Sequence, residues 1–162
     1  MLRQTRAPKL IGDFGEGLVT YALIRKGFEV ACVDHVGADL IAEKSGNRFA
    51  ISVKTRLFRE GSKESLVFVV EKSHLEKLEN FAEQFGMLPI YALTVCLADK
   101  RIIQLIMMRV SDLKETLPEV KHGYSLRLSE KSLSELLKNP KFDYSCWKDE
   151  TIGQYDFVDR VS

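Results

Sequence analysis

Cysteine is scarce in this 162-residue chain: Cys32, Cys96 and Cys146 are odd in number, widely spaced and form no Cys-x-x-Cys pair. That excludes a disulfide framework and a cysteine-based zinc module, and it fits a reducing compartment. No apolar run approaches the ~20 residues of a membrane span, and the start shows no charged-then-apolar signal pattern. The chain is therefore expected to be soluble and cytoplasmic, with no membrane partner. Net charge is also lacking, at +1, so composition alone makes no case for a polyanionic partner. The charge is uneven, however: residues 1–63 hold eleven Lys or Arg against seven Asp or Glu, a surplus of four that leaves −3 for the remainder. No repeat or linker divides the sequence, and 45% hydrophobic content is ample for one core at this length.

What is there centres on residues 37–56. Ala38 to Glu43 and Arg48 to Lys54 are rich in strand formers, and Ser45-Gly46-Asn47 between them accepts the positive φ of a tight turn. The pattern predicts an antiparallel hairpin. A turn centred on Ser45-Gly46 sets Asp39 across from Ser52; one centred on Gly46-Asn47 sets it across from Lys54. Either way Asp39, Ser52 and Lys54 share a face, and Phe49, Ile51 and Val53 occupy the opposite, buried one. A face with a carboxylate and an ammonium suits a reaction site.

The flanking segments read in order. Residues 1–11 carry Arg3, Arg6 and Lys9 with Pro8 and no acid, which predicts a loose basic arm able to grip phosphates. From Gly12 the period is helical, through Phe14, Leu18, Tyr21, Ala22 and Arg25, with Asp13 as the expected N-cap, Glu16 in the first turn and Gly27 as the stop. Phe28 to Val33 is expected as a strand burying Val30, with Ala31 and Cys32 as further buried candidates. Asp34 and His35 lie on a connecting loop, and His35 is read as a solvated residue outside the site. Beyond Lys54, Arg56, Arg59 and Lys63 form a basic loop suited to a phosphodiester backbone. Leu66 to Val70 is a short extended segment. Ser73-x-x-Glu76 reads as a capping box opening a helix from His74 to about Phe85, with Leu75, Leu78, Phe81, Ala82 and Phe85 buried and Gly86 as the stop. Residues 90–97 and 102–108 are central strands with methionine as core filler. Ser111 and Ser129 are expected to cap two short helices, with an edge strand from Tyr124 to Leu128 between them. The tail from Lys141, with Phe142, Tyr144, Trp147, Tyr155 and Phe157, shows no regular period and is expected to pack on the domain or a second subunit.

Asp39, a hairpin and x-Val-Lys54 resemble the core of the PD-(D/E)XK nucleases. The order of a helix with Glu16, Lys26-Gly-Phe28, Ala38-Asp-Leu-Ile41, Ile51-Ser-Val-Lys54 and Leu78-x-x-Phe-Ala-x-x-Phe-Gly86 resembles the archaeal-type Holliday junction resolvases, over roughly residues 12–110. The resemblance implies an α/β restriction endonuclease-like core, a central mixed sheet flanked by helices, within a single domain over 12–162 that residues 111–162 complete. It implies a metal-dependent endonuclease acting on DNA, with branched DNA as substrate, Mg²⁺ or Mn²⁺ as cofactor and a homodimer as the working form. It assigns Asp39, Glu16 and the Val53 carbonyl to the metal, and Lys54 to the attacking water or the phosphorane. Ser52 departs from it, standing where the motif has an acid. Three outcomes are open: a slow or Mn²⁺-preferring nuclease, another acid such as Glu71 or Glu43 taking over, or a nuclease fold that binds DNA without cutting.

Overall fold

The computed structural model describes residues 6–58, 66–98 and 100–148. Six strands form the main sheet: β1 (Glu29–His35), β2 (Ala38–Lys44), β3 (Asn47–Phe58), β5 (Leu88–Leu97), β6 (Ile102–Arg109) and β9 (Phe142–Lys148), in the order β1-β2-β3-β5-β6-β9. β3 and β5 run parallel and the other neighbours antiparallel, so the sheet is mixed. A smaller antiparallel sheet holds β4 (Val67–Glu71), β8 (Gly123–Arg127) and β7 (Glu119–Val120), with β8 in the middle. Four helices occur among the described residues: α1 (Ala7–Arg25), α2 (Lys72–Gln84), α3 (Val110–Thr116) and α4 (Glu130–Leu136).

Both faces of the main sheet are covered, which is why β3, β5 and β6 are buried almost throughout. On one face Val19, Ala22 and Leu23 of α1 pack with Leu40, Ala42, Ile51, Val53, Ala92, Leu105 and Met107. On the other, Leu75, Leu78, Phe81 and Ala82 of α2 pack with Ala38, Ala50, Tyr91, Leu93, Ile106 and Met108. Each fully buried leucine or isoleucine here contributes about 1.5–3 kcal/mol of burial free energy. The hairpin is as expected: Lys44 pairs with Asn47, and Ser45 (φ 52°) and Gly46 (φ 80°) are the two central residues.

Several expectations are corrected. The basic arm is in part helical, because α1 begins at Ala7 with Arg6 at the N-cap and Pro8 in the first turn, where proline's missing N–H costs nothing. Asp13 is thus inside the helix, not its cap, and Glu16 lies beyond the first turn. Phe14 and Tyr21 are exposed; the buried stripe is Gly15, Val19, Ala22 and Leu23. Small Gly15 and Ala22 let the helix sit close on the sheet, and that proximity decides which stripe is covered. β1 is an edge strand with Ala31 and Cys32 exposed. The Ser73 capping box does not form: α2 starts at Lys72 with Glu71 at the N-cap, and Phe85 is exposed after the helix ends. α3 has Arg109, not Ser111, at its N-cap, whereas Ser129 caps α4 by accepting from Ser132 N–H. The segment expected as an edge strand is central to the small sheet, and Phe142–Lys148, expected without regular structure, is edge strand β9. Tyr155 and Phe157 lie outside the described residues.

Candidate active site

The hairpin register sets the site. Leu40 faces Ile51, and continuing the ladder brings Asp39 opposite Ser52. The Asp39 carboxylate is fixed there: its Oδ2 accepts the backbone N–H of Val53 at 2.6 Å. Upstream, Gly37 has φ 123°, and a Cβ on it would lie 2.6 Å from the carbonyl oxygen of Lys77. Only glycine lets this turn press against α2, and that contact sets where β2 begins.

Ser52 is 8% exposed and neighbours Tyr91 of β5 in the parallel ladder. By strand alternation Ser52 and Lys54 share the α2 face with Ala50, while Ile51 and Val53 turn towards α1. Lys54 is half-buried and, among the described residues, has no carboxylate partner.

Glu16 arrives from α1. Its neighbour Gly15 lies against β3 so closely that an added Cβ would fall 1.9 Å from Thr55 Oγ1, a buried hydroxyl without a hydrogen-bond partner. Partial burial, then the negative charges of Asp39 and Asp13, raise the Glu16 pKa, against an opposing pull from Lys9. Glu16 and Asp39 therefore share one field.

Of the other anticipated residues, Arg6 and Lys9 are exposed at the start of α1, and Lys9 pairs with Asp13 at 3.1 Å. The Arg56 guanidinium lies 5.6 Å from the Phe58 ring centre. Arg3, Arg59 and Lys63 lie outside the described residues. His35 is not simply solvated: its ring packs against Phe81 at 4.8 Å, a structural role that keeps it out of the site. Glu43 pairs with Glu29 and Arg48 near the hairpin tip, four residues or about 13 Å along the strand from Asp39, and is removed as a substitute acid.

Tyr91 and Thr55 were not singled out in the sequence. Burial and then the charges of Glu71 and Asp39 raise the Tyr91 pKa. Nothing local in the sequence signals this, because it depends on the register of a parallel pair joined through β4 and α2.

Among the described residues no three His, Cys, Asp or Glu side chains are grouped closely enough to hold a metal unaided. The donors gathered near Asp39 are carboxylate, hydroxyl and peptide oxygens. Such a set fits Mg²⁺ or Mn²⁺, hard cations that keep several waters and take one or two carboxylates plus substrate oxygens.

The chain is 22% identical to the Holliday junction resolvase Hjc of the archaeal hyperthermophile Archaeoglobus fulgidus, with a TM-score of 0.55 over 73% of this chain and 84% of that one. The fold is restriction endonuclease-like. A bacterial homing endonuclease is also similar, at 13% identity and a TM-score of 0.49 over 76% of this chain and 79% of that one. No protein-family model and no curated protein matches the chain by sequence.

Proposed function

We propose that this chain is a divalent-metal-dependent endonuclease that hydrolyses phosphodiester bonds in DNA, with branched or otherwise structured DNA such as four-way junctions as its substrate class. What supports this reading is that the Val53 N–H holds Asp39, that the charge of Asp39 bears on Glu16, and that Lys54, next to Val53 on β3, has no carboxylate partner among the described residues. When bound, Mg²⁺ or Mn²⁺ supplies Lewis-acid polarisation of the phosphate and a more acidic attacking water.

The residues divide the remaining work. The bond from Val53 occupies Oδ2 of Asp39 and fixes its rotamer, leaving Oδ1 for a ligand. Glu16 adds a second carboxylate, whose pKa burial and then Asp39 raise, and the Val53 carbonyl offers a neutral oxygen. The Lys54 ammonium meets the negative charge that accumulates on the phosphoryl oxygens. Arg6, Lys9 and Arg56, with Arg3, Arg59 and Lys63, follow the flanking phosphates. A four-way junction offers two symmetry-related strands, which a homodimer engages with two copies of the site.

Ser52, and the lack of a three-ligand cluster among the described residues, favour a second reading, a nuclease fold that binds DNA without cutting it. The test is cleavage and retention of end-labelled duplex, flap and four-way DNA with Mg²⁺ or Mn²⁺. Metal-dependent cutting that falls about 10²-fold or more in Lys54→Ala, with binding retained, supports the nuclease. Retention without cutting supports the second reading, and no retention even at low salt refutes both.

A further inference from the structure

Strand β9 pairs with β6 alone and leaves its other edge open among the described residues. Trp147 of β9 packs with the cluster on the α1 side of the sheet, and a groove runs between α1 and β9 there. Phe14 of α1, Ile102 and Ile103 of β6 and Trp147 line one stretch of it, together with Arg101 and Lys148. A second stretch, which shares Trp147, is lined by Tyr21 and Arg25 of α1 and by Cys146. Phe14 is 45% exposed and Tyr21 49%.

Aromatic side chains left half in water beside an open strand edge mark a surface that is covered in use. Residues 149–162 follow Lys148 directly and have the composition to cover it. Ile152, Tyr155, Phe157 and Val158 are apolar, and the acids Asp149, Glu150, Asp156 and Asp159 stand against the single base Arg160. The groove carries the opposite charge. No acid lines either stretch, and Arg25, Arg101 and Lys148 are exposed and make no ion pair among the described residues. Length is sufficient as well: residues 149–162 span up to about 46 Å when extended, whereas the 19 residues of α1 are only about 28 Å long.

We propose that residues 149–162 fold back along the groove between α1 and β9 of their own chain, setting Tyr155 and Phe157 against Phe14, Tyr21 and Trp147 and the acids against Arg25, Arg101 and Lys148. The covalent link favours this occupant over any other, because a segment tethered at Lys148 is held at an effective concentration of about millimolar at the groove. Opposite charges then fix its direction and register. The inference stands apart from the nuclease reading, since the groove lies on the α1 side of the sheet and Ser52 and Lys54 face α2.

Trp147 is the only tryptophan in the chain, so its emission reports on the groove. The test is Trp147 fluorescence and its quenching by acrylamide at low salt, for the intact chain, Tyr155→Ser/Phe157→Ser, Asp156→Lys/Asp159→Lys, Arg101→Glu/Lys148→Glu and the last two pairs combined, with circular dichroism to confirm the fold. The apolar pair and each charge reversal alone are expected to move the emission to longer wavelength and to raise the quenching, at every protein concentration. The combined reversal is expected to restore the parent's spectrum, which a general disturbance of the fold would not allow. Parental emission in Tyr155→Ser/Phe157→Ser overturns the assignment, as does failure of the combined reversal to restore it. So does a parent whose emission shifts on dilution, which gives the groove to a second copy, or one that responds only to added duplex or four-way DNA, which gives it to nucleic acid.

Discussion

Replacing Asp39 by Asn and by Ala separates its structural role from the metal role proposed for it. Asp39 Oδ2 accepts a 2.6 Å bond from the N–H of Val53, a residue only 8% exposed. A hydrogen bond to a charged acceptor contributes about 1.5–3 kcal/mol and a neutral one about 0.5–1.5. Asn keeps an acceptor of the same reach, so Asp39→Asn is expected to cost about 1 kcal/mol, less whatever is regained by removing a charge that opposes Glu16. Ala leaves the Val53 N–H buried without a partner, and is expected to cost about 2–3 kcal/mol. Cleavage ranks the variants differently. Both lose the negative charge proposed as a metal ligand, and a loss of about 4 kcal/mol in transition-state stabilisation corresponds to roughly 10³-fold in rate. Urea denaturation without metal gives the first pair of numbers and single-turnover cleavage of a labelled substrate the second. Cleavage by Asp39→Asn within a few-fold of the parent would refute the metal role. Equal stability losses for Asn and Ala would refute the structural one.

Two further outcomes follow from the contacts of α1. Because the folded state raises the Glu16 pKa above its ordinary 4.5, the native chain binds that proton more tightly than the unfolded chain. Stability is therefore lost as pH rises through the folded value. Glu16→Gln should melt higher than the parent near pH 7, with the difference vanishing below pH 4.5, where both side chains are neutral. Added Mn²⁺ should narrow the gap by stabilising the parent alone; thermal melts across pH with and without metal check this. Gly15→Ala brings a methyl to 1.9 Å from Thr55 Oγ1 and should cost about 1–3 kcal/mol, with Thr55→Ala recovering much of it in the double variant. Additive losses in denaturation would show that α1 does not rest on Thr55.

The hairpin was legible because its determinants are local. Ser45 and Gly46 can adopt positive φ, and once they form the turn, counting outward brings Asp39 to Ser52. The strands around residues 90–97 and 102–108 were legible because nearly every residue in them is apolar. The start of α1 was not, since Pro8 among basic residues reads equally well as loose chain or as a first turn. The helical period of α1 was legible, but it did not tell which of its residues are buried. Phe14 and Tyr21 are more apolar than Gly15, yet it is the small residue that lets the helix approach Thr55. Strand β9 escaped although Phe142, Tyr144 and Cys146 alternate with Asp143 and Ser145, because the alternation is short and Trp147 breaks it. The places of Tyr91 and Glu71 depend on a parallel register closed through β4 and α2, which no local pattern encodes.

That division bears on how much the site residues mean. The bond between Asp39 and Val53 would be kept for the fold alone, so an acid at position 39 is by itself weak evidence of chemistry. The ionisation of Glu16 is different, because burial and the neighbouring Asp39 oppose it and stability would be better served by a neutral side chain. Lys54 likewise adds no ion pair to the described structure, although acids lie on the same end of the sheet. A fold maintained for stability alone would lose such an acid and gain nothing from such a lysine. Both make sense once a cation stands between the carboxylates and a phosphate stands before the ammonium, since each charge then has its partner. Melting Glu16→Gln and Lys54→Met without metal or DNA isolates this point. If both variants are at least as stable as the parent, the native residues are retained for what they bind. If both are clearly less stable, the charges serve the fold, and the catalytic reading loses its strongest support.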